Sequence, residues 1–560
     1  MAKNGKGGED KLRGGYYTLS SVAEWLCRWA IRTPSERVLE PSCGDGVFLE
    51  AALRRLCSLG ANVSGVSRQL AGVEINNGEA AKARMRLSQF LVGDASRVVH
   101  SDDFFAWVQD TGSARFDSVV GNPPFIRYQS FPEPCRSRAM ALMSMEGLRP
   151  NKLTNAWVPF VVGAVRLLRP GGRLAMVLPA ELLQVTYAGQ LRSFLADHFE
   201  SIDIVSCNQL FFQGAEQEVV LLLADHRVAV PSLGNPCRID MRSSNTVADV
   251  LQTNIDPGKR NGRRKVVQHD SEKWLKYFLT ADEITFMRGL KAAKEVACLS
   301  RHACVDVGVV TGNNDFFVLT LDEAHSLGVS EYTIPLIGRS RQLEGAVLRL
   351  PEWGDLAAHG HRVLLFHVNG QNNGNLSATA KAYIASGEEK LVHKGYKCSV
   401  RSPWYCVPAV WVPHCLLFRQ IYDFPRGVLN SAKVVTTDTI HRMICKSPVT
   451  KVLTNLYTHL TAASAEIEGR SYGGGVLELE PTEAERLLIP QELQEGLPPG
   501  EIDRMVRQGR LADVLRENDR FVLIEGLGLS QNDCSRLRRV WERMRGRRHS
   551  RRNVQAHVGR

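Results

Sequence analysis

One stretch of the sequence, Asn122-Pro123-Pro124-Phe125, has residue types that suit chemistry on a planar amino group. Two successive prolines fix φ and remove two backbone N–H donors, so the turn presents carbonyl acceptors in a preset direction. The Asn122 side-chain oxygen and the Pro123 carbonyl can each accept one hydrogen of an NH2 group, while Phe125 offers a ring face for stacking. Accepting both hydrogens frees the nitrogen lone pair to attack an electrophile. Four residues alone also fit an ordinary turn, so their neighbours decide.

A glycine turn and two acids upstream predict an adenosine pocket. Residues 37–49 indicate a strand, a turn containing Gly44 and Gly46, and a helix start, and these glycines let the backbone approach a ligand at the end of the first strand. The second strand ends at Glu74, which suits a ribose, and the third is predicted to end at Asp94, which suits an adenine amino group. Either acid alone is more often a helix cap. Three successive strand ends together predict the pocket.

The electrophile that fits this pocket is the methyl group of S-adenosyl-L-methionine. No Gly-Lys-Ser/Thr follows Gly44, so a phosphate-binding loop has little support. An amine held at Asn122 would attack a sulfonium methyl in line, and positioning with acceptor oxygens supplies most of the catalysis, so no metal is required. One group of potential ligands matches no common metal-site spacing: His393, Cys398, Cys406, His414 and Cys415.

The composition favours a multidomain globular protein with an acidic partner. The chain has 560 residues, 44% of them hydrophobic, and a formal net charge of +11, which favours nucleic acid as the partner. The 13 cysteines form no Cys-x-x-Cys pair, which fits a reducing cytoplasm. No apolar run is long enough to cross a membrane, and the Lys/Gly-rich start lacks a signal-peptide core. We expect a cytoplasmic location.

Hydrophobic patterns divide the chain into five predicted segments. Residues 1–14 are a flexible lead-in, 15–230 a catalytic domain, 231–300 a linker, 301–535 an α+β recognition domain, and 536–560 a basic tail that either binds phosphate or keeps the chain soluble. In 15–230, strands alternate with helices, which predicts a parallel α/β sheet. The predicted strands are 37–40, 70–74, 89–92, 116–120, 173–178, 202–205 and 219–223, and the predicted helices are 20–31, 47–59, 76–87, 155–168 and 190–198. The last two strands are joined by a short loop and should pair antiparallel.

The order of these motifs resembles that of the γ-class adenine-N6 DNA methyltransferases of bacterial restriction and modification systems. That family runs from an N-terminal cofactor motif through a glycine motif to Asn-Pro-Pro-aromatic, and ends in a target-recognition domain. The matching stretches here are Gly15-Tyr16-Tyr17-Thr18, Glu40-Pro41-Ser42-Cys43-Gly44-Asp45-Gly46, Gly72-Val73-Glu74, Gly93-Asp94, Asn122-Pro123-Pro124-Phe125, Leu167-Leu168-Arg169-Pro170-Gly171-Gly172 and Leu210-Phe211-Phe212. The resemblance implies a Rossmann-like class I methyltransferase sheet.

The resemblance also implies a role for individual residues. Tyr17 and Thr18 would close over the methionine end of the cofactor, with Glu74 on the ribose and Asp94 on the adenine. Phe125 would stack on a target base turned out of the duplex. The other side of that base would meet Phe211, whose spacing to the next strand fits better than that of its neighbour Phe212. The remaining implied cofactor residues are Glu40, Pro41, Cys43, Gly44, Gly46 and Asn122.

The predicted substrate is adenine in double-stranded DNA. An adenine inside a duplex cannot reach Asn122, so the enzyme is expected to extrude it. The predicted DNA-contacting residues are Arg127, Lys259, Arg260, Arg263, Arg264 and Arg401. We expect a monomer that works beside a separate restriction nuclease.

Other readings stay open at this point. RNA adenine and the protein glutamine amide also offer a planar NH2 group, and cytosine N4 is less favoured because that family more often has Ser or Asp where Asn122 stands. A DNA-binding subunit without catalysis would not need the intact motifs. A fused nuclease would have to use the loosely spaced acids around Glu388-Glu389-Lys390.

Overall fold

The computed structural model describes residues 18–112, 115–209, 218–232, 234–253, 255, 265–267, 272–368, 376–472 and 475–558, with side chains in the last helix described to residue 550. The chain forms two compact units. The first contains the described residues up to Ile284 together with those after Arg548, and the second runs from Thr285 to Arg548. No described helix has the length and apolar character needed to cross a membrane.

A nine-stranded sheet forms the centre of the first unit, with strand order β3-β2-β1-β4-β5-β7-β6-β8-β9. The strands are β1 (Val38–Glu40), β2 (Leu70–Val73), β3 (Val99–His100), β4 (Phe116–Gly121), β5 (Leu168–Pro179), β6 (Phe199–Cys207), β7 (Val219–Arg227), β8 (Arg238–Ser244) and β9 (Lys265–Val266). Strand β1 pairs parallel with β2 and β4, so their carboxyl ends meet at one edge. Strand β7 runs antiparallel to β6, as the short loop between them predicts, and it also runs antiparallel to β5.

Helices cover this sheet through apolar faces. They are α1 (Ser20–Ala30), α2 (Val47–Ser58), α3 (Asn77–Ser88), α4 (Phe104–Thr111), α5 (Cys135–Met145), α6 (Trp157–Leu167), α7 (Glu181–Gln184), α8 (Gly189–His198) and α9 (Val247–Gln252). In α1 the buried residues Val22, Trp25, Leu26 and Trp29 recur at helical spacing and form one face, which packs on α2. The Asn76 side chain starts α3 by accepting from two backbone N–H groups.

The prediction of the third strand at residues 89–92 is wrong. There the chain turns at the end of α3, where the Phe90 and Leu91 N–H groups both donate to Leu87 O, and Leu91 is buried. The third strand is the shorter β3, in which Val99 pairs with Gly72. Phe90 and Leu91 therefore pack against the core from this turn instead of entering the sheet, and Val92 is 63% exposed.

The predicted linker over 231–300 also differs from the structure. Strand β8 pairs parallel with β6 from Ser201↔Arg238 to Cys207↔Ser244, and β9 pairs with β8. Strands β8 and β9 thus extend the first unit's sheet beyond the predicted boundary at 230. At the other end of the chain, the segment predicted as a tail from residue 536 belongs to a helix that begins at Gln531.

The second unit is an α+β assembly of several small sheets. A five-stranded sheet has the order β11-β20-β16-β18-β14, and a four-stranded sheet has the order β12-β15-β13-β19. The strands are β10 (Val296–Cys298), β11 (Ala303–Asp306), β12 (Val318–Leu319), β13 (Thr333–Ile337), β14 (Val347–Leu348), β15 (Leu364–Phe366), β16 (Cys415–Phe418), β17 (Gln420–Ile421), β18 (Gly427–Asn430), β19 (Val435–Thr436), β20 (Ile440–Cys445), β21 (Arg470–Ser471), β22 (Leu477–Glu478) and β23 (Leu488–Pro490).

The helices after residue 280 complete the description. They are α10 (Ala281–Ala292), α11 (Asn314–Phe317), α12 (Leu321–Ser326), α13 (Leu350–Ala358), α14 (Ala378–Glu389), α15 (Tyr396–Ser399), α16 (Val449–Leu456), α17 (His459–Glu468), α18 (Pro481–Ala484), α19 (Pro499–Arg507), α20 (Leu511–Asn518) and α21 (Gln531–Val558). One apolar cluster of the second unit contains Leu416 and Val428 of the five-stranded sheet, and another contains Leu336 and Leu365 of the four-stranded sheet. Each of these sheets therefore has its own core.

Candidate cofactor and target-base site

A cleft of about 410 Å³ opens at the carboxyl ends of β1, β2 and β4, a size ordinary for a small-molecule site. It lies where open α/β sheets bind their ligands. The cleft brings together many of the residues predicted from the sequence: Thr18, Glu40, Pro41, Cys43, Gly44, Glu74, Asn122 and Pro124.

The glycine turn between β1 and α2 is shaped by two left-handed residues. Gly44 has φ +49° and Gly46 has φ +85°, and a Cβ added at Gly46 would lie 3.0 Å from Ala83 Cα. The turn is closed by a bond from the Gly46 N–H to Cys43 O (2.7 Å), and the Cys43 N–H donates to Val73 O (2.9 Å). Glycine at position 46 therefore allows α2 and α3 to meet beside the cleft.

Glu74 links the turns that follow β1 and β2. One carboxylate oxygen accepts from the Gly44 N–H (2.9 Å) and the other from the Asn76 N–H (2.8 Å). Burial raises the pKa of Glu74, while these two bonds act in the opposite direction. A carboxylate has further lone pairs beyond the two used here, so this fixed group can also accept from ribose hydroxyls.

Glu40 is a buried carboxyl at the end of β1, only 2% exposed. One of its oxygens accepts from the Leu49 N–H (3.1 Å). Burial, and then the charge of Asp45, raise the pKa of Glu40 well above its ordinary value. A cation bound in the cleft would favour the ionised carboxylate, and S-adenosylmethionine carries both an ammonium and a sulfonium group.

Asp94, the predicted adenine contact, does not line the cleft, so the structure does not bring it together with the other predicted cofactor residues. It is exposed, and its carboxylate accepts from the Ser96 N–H (2.8 Å) at the start of a short turn. Its bonds with the Ser96 side chain and backbone lower the pKa of Asp94. Asp102 lines the cleft instead, two residues after β3, and its N–H donates to Glu74 O (3.2 Å). Asp103 lines the cleft as well, but its carboxylate already accepts from the Phe105 N–H and pairs with Arg138, so Asp102 is the acid at the third strand end that we favour.

Apolar side chains that the sequence reasoning did not single out form other parts of the cleft. Ile75 is 62% exposed although it is apolar, and it follows directly after Glu74. Phe104 and Phe160 stack with their centroids 5.2 Å apart, and Phe105 meets Phe160 edge-on at 4.8 Å. Such surfaces suit the faces of a purine. In the sequence, these side chains could have been found from two features. Ile75 follows Glu74 directly, and the run Asp102-Asp103-Phe104-Phe105 comes soon after the apolar pair Val98-Val99.

The Asn-Pro-Pro turn leaves β4 at Gly121 and enters the same cleft. Gly121 has φ +151°, and a Cβ there would lie 3.5 Å from Glu40 Cγ. The Asn122 carbonyl accepts from Ser42 Oγ (3.3 Å), and Asn122 Nδ2 donates to Thr18 Oγ1 (3.3 Å). The second bond directs the amide nitrogen toward Thr18 and the oxygen away from it. Pro123 is buried, as the turn leaves the sheet.

The remaining predicted site residues have mixed outcomes. Phe125 is partly buried and packs against the core of the first unit. Arg127 is exposed beside the turn. The guanidinium of Arg401 donates to Thr311 O (2.7 Å) and Val310 O (2.6 Å), so it braces a turn of the second unit, and its predicted contact with DNA stays a prediction. Several residues lie outside the described part of the chain: Tyr17, Phe211, Phe212, Lys259, Arg260, Arg263 and Arg264.

Two protein-family models together match most of the chain. The N-6 DNA Methylase family matches residues 4–282, and the C-terminal domain of the Type II methyltransferase M.Eco57I matches residues 271–523. The chain belongs to the N-6 DNA methylases. These matches confirm the resemblance to the γ-class adenine methyltransferases that the motifs indicated. They also confirm that a C-terminal domain follows the catalytic domain of this methylase.

Curated relatives and solved structures agree with this membership. The methylase is 20% identical over 488 residues to Type II methyltransferase M.AccI of Acinetobacter calcoaceticus, covering 84% of this chain and 83% of the relative. It is 24% identical to M.PaeR7I of Pseudomonas aeruginosa, covering 60% of this chain and 61% of that one.

Among solved structures, the DNA complex of the Type IIL restriction-modification enzyme MmeI matches with a TM-score of 0.55 and 13% identity, over 94% of this chain and 75% of MmeI. The expected Rossmann-like class I methyltransferase sheet, followed by an α+β domain, is confirmed. Within the described residues of the methylase, no group of three or more His, Cys, Asp or Glu side chains is arranged to hold a metal ion.

Proposed function

We propose that this methylase transfers a methyl group from S-adenosylmethionine to N6 of adenine at a specific sequence in double-stranded DNA, as the modification component of a restriction-modification system. One observation carries the proposal: Asn122 of the Asn-Pro-Pro turn and the ribose-type carboxylate Glu74 line the same cleft. A held amino group and an adenosyl cofactor would meet there.

The cleft residues fit the cofactor piece by piece. Glu74 would accept from the ribose hydroxyls, since both its oxygens are already fixed by backbone N–H groups. Asp102 would accept from the adenine amino group in place of the predicted Asp94. Glu40, with Pro41 and Cys43 beside it, would face the cationic methionine end. When bound, S-adenosylmethionine supplies an electrophilic methyl carbon at this position.

The turn residues would hold and activate the target amine. Asn122 Oδ1 and the Pro123 carbonyl would accept the two N6 hydrogens, which directs the nitrogen lone pair toward the methyl carbon. Thr18 keeps the Asn122 amide in that orientation through its bond to Nδ2. Transfer would form the N–C bond as the S–C bond breaks, and the nitrogen held by Asn122 and Pro123 would then lose one proton to solvent. No metal enters this step.

The remaining predictions complete the proposal. Phe125 and Phe211 would stack on the extruded base, and Arg127 with the basic segment 259–264 would contact the DNA backbone. We propose a monomeric enzyme that works beside a separate nuclease. The second unit, which carries the family's C-terminal domain, would choose the sequence.

The test is methylation of DNA by the purified protein, with the products digested to nucleosides and identified by mass spectrometry. Asn122→Ala should lose at least about 100-fold in transfer rate while it still binds S-adenosylmethionine in calorimetry. Asn77→Ala is the matched control, because Asn77 is exposed at the start of α3. N4-methylcytosine as the product would refute the adenine assignment. Cofactor binding without any DNA methylation would redirect the search to RNA adenine and the protein glutamine amide.

A further inference from the structure

A set of basic side chains gathers at one edge of the four-stranded sheet of the second unit. We name Arg339, Arg341, Gln342 and Arg362 the arginine edge. Strand β13 ends at Ile337 beside the end of its parallel neighbour β19, and the antiparallel β15 begins at Leu364 on the other side of β13. The segments that carry the arginine edge therefore meet at one end of the sheet, where they line a cleft of about 290 Å³.

The turn that follows β13 is held rigidly by hydrogen bonds. Gln342 Oε1 accepts from the backbone N–H groups of Gly338 (2.9 Å) and Arg339 (2.8 Å). The Gly338 carbonyl accepts from the hydroxyls of Thr437 (2.8 Å) and Thr439 (2.8 Å). Since the Gln342 oxygen is held by the backbone, its amide nitrogen is positioned as a hydrogen-bond donor. The turn can therefore present donors with little further loss of conformational entropy.

The charged side chains of the arginine edge are positive, and nearby carboxylates neutralise only part of this charge. Arg339 and Arg341 are exposed, and neither forms an ion pair with any residue that the structure describes. Arg362 has acidic neighbours, with Asp315 Oδ1 at 3.4 Å and Glu323 Oε2 at 3.6 Å. Elsewhere in the unit, exposed arginines such as Arg504 and Arg510 have a carboxylate partner. Two guanidinium groups on a braced turn thus remain available for an external anion.

We infer that Arg339 and Arg341 of the arginine edge bind backbone phosphates of the duplex; this inference rests on the proposed function. A guanidinium offers a planar fork of donors that matches a phosphate, and the Gln342 amide adds a neutral donor beside it. The alternative is that this edge reads the bases, but a surface that reads base edges needs hydrogen-bond acceptors as well as donors. Here Asp315 is the one carboxylate among the residues lining the cleft, and it faces Arg362, so backbone contact fits the edge better.

The test compares Arg339→Ala/Arg341→Ala with Arg504→Ala/Arg510→Ala, which removes two exposed arginines of the same unit that are already paired. Fluorescence anisotropy of the full-length protein would measure the affinity for two duplexes, one with and one without the methylated sequence, from 50 to 200 mM salt. Loss of two phosphate contacts should reduce the slope of log K against log salt by about 1.8, which corresponds to up to about 60-fold weaker binding at 0.1 M salt. Both duplexes should lose affinity equally, and the control variant should match the wild type.

The outcomes separate the inference from the function on which it rests. Arg339→Lys/Arg341→Lys keeps the charges and should retain the salt slope, which guards against a misfolded alanine variant. A loss confined to the duplex with the methylated sequence would show base reading and overturn the phosphate assignment. Wild-type affinity in the alanine variant would overturn the inference while DNA methylation by the wild type stands. A wild type that binds neither duplex would overturn the proposed function itself.

Discussion

The exchange of Asp94 for Asp102 as the adenine-binding acid can be tested with two matched substitutions. In Asp102→Asn, the oxygen that accepts from the Asp103 N–H (2.7 Å) can remain, so the new NH2 group takes the position of the other oxygen. An NH2 group cannot accept from the adenine amine. In Asp94→Asn, the oxygen bonded to the Ser96 N–H can remain as well, and this residue does not line the cleft. The two variants thus make the same chemical change, and of these two aspartates only Asp102 lines the cleft.

The expected loss follows from the bond that is removed. A hydrogen bond to a charged acceptor contributes about 1.5–3 kcal/mol, so Asp102→Asn should weaken S-adenosylmethionine binding by about 10- to 150-fold, whereas Asp94→Asn should leave it unchanged. Isothermal titration calorimetry of both variants measures this directly. A cofactor analogue with a 6-oxo group in place of the 6-amino group completes a double-mutant cycle, and the wild-type preference for the amino form should disappear in Asp102→Asn. Equal affinities for both variants, or a loss confined to Asp94→Asn, would refute the assignment.

Two further predictions concern the same cleft. Because burial and Asp45 raise the pKa of Glu40, its charged form destabilises the fold above that pKa, and the penalty disappears as the pH falls toward 4.5. Glu40→Gln should therefore raise the melting temperature of the cofactor-free protein at pH 8, and raise it less at pH 5. An increase in melting temperature that is the same at both pH values would show that the charge of Glu40 is not its cause. Gly46→Ala combines positive φ with a Cβ 3.0 Å from Ala83 and should cost about 2 kcal/mol or more in urea unfolding. Gly509→Ala has a similar φ of +72° at a helix end but no close neighbour, so it should cost less, and equal costs would show that the contact with Ala83 contributes nothing.

The strands nearest the cleft could be predicted because their sequences are mostly apolar. Strands of a parallel sheet are buried on both faces, and the residues of β1 and β2 are all buried. The turn residues Gly44 and Asn122 follow these strands directly, so their positions were predictable as well. Glu74 was found by the same reasoning.

The third strand and its acid could not be predicted in this way. Strand β3 contains only two residues, and the apolar run before it belongs to the end of a helix. Asp94 follows that run and so resembled a strand-end acid, whereas Asp102 follows the real strand after one serine. Strand β8 was missed because its residues alternate with charged side chains such as Asp240. Its pairing depends on β6, which is distant in sequence.

The two main sheets of the second unit are built from alternating pieces of the chain. Strand β11 of the five-stranded sheet is followed by β12 and β13 of the four-stranded one, then β14 of the first, β15 of the second, and so on to β19 and β20. No single cut separates one sheet from the other, so a transplant of either sheet between relatives would interrupt both hydrophobic cores. Under the proposed function, new target sequences are therefore more accessible to evolution and to engineering through point changes in the second unit than through exchange of whole segments.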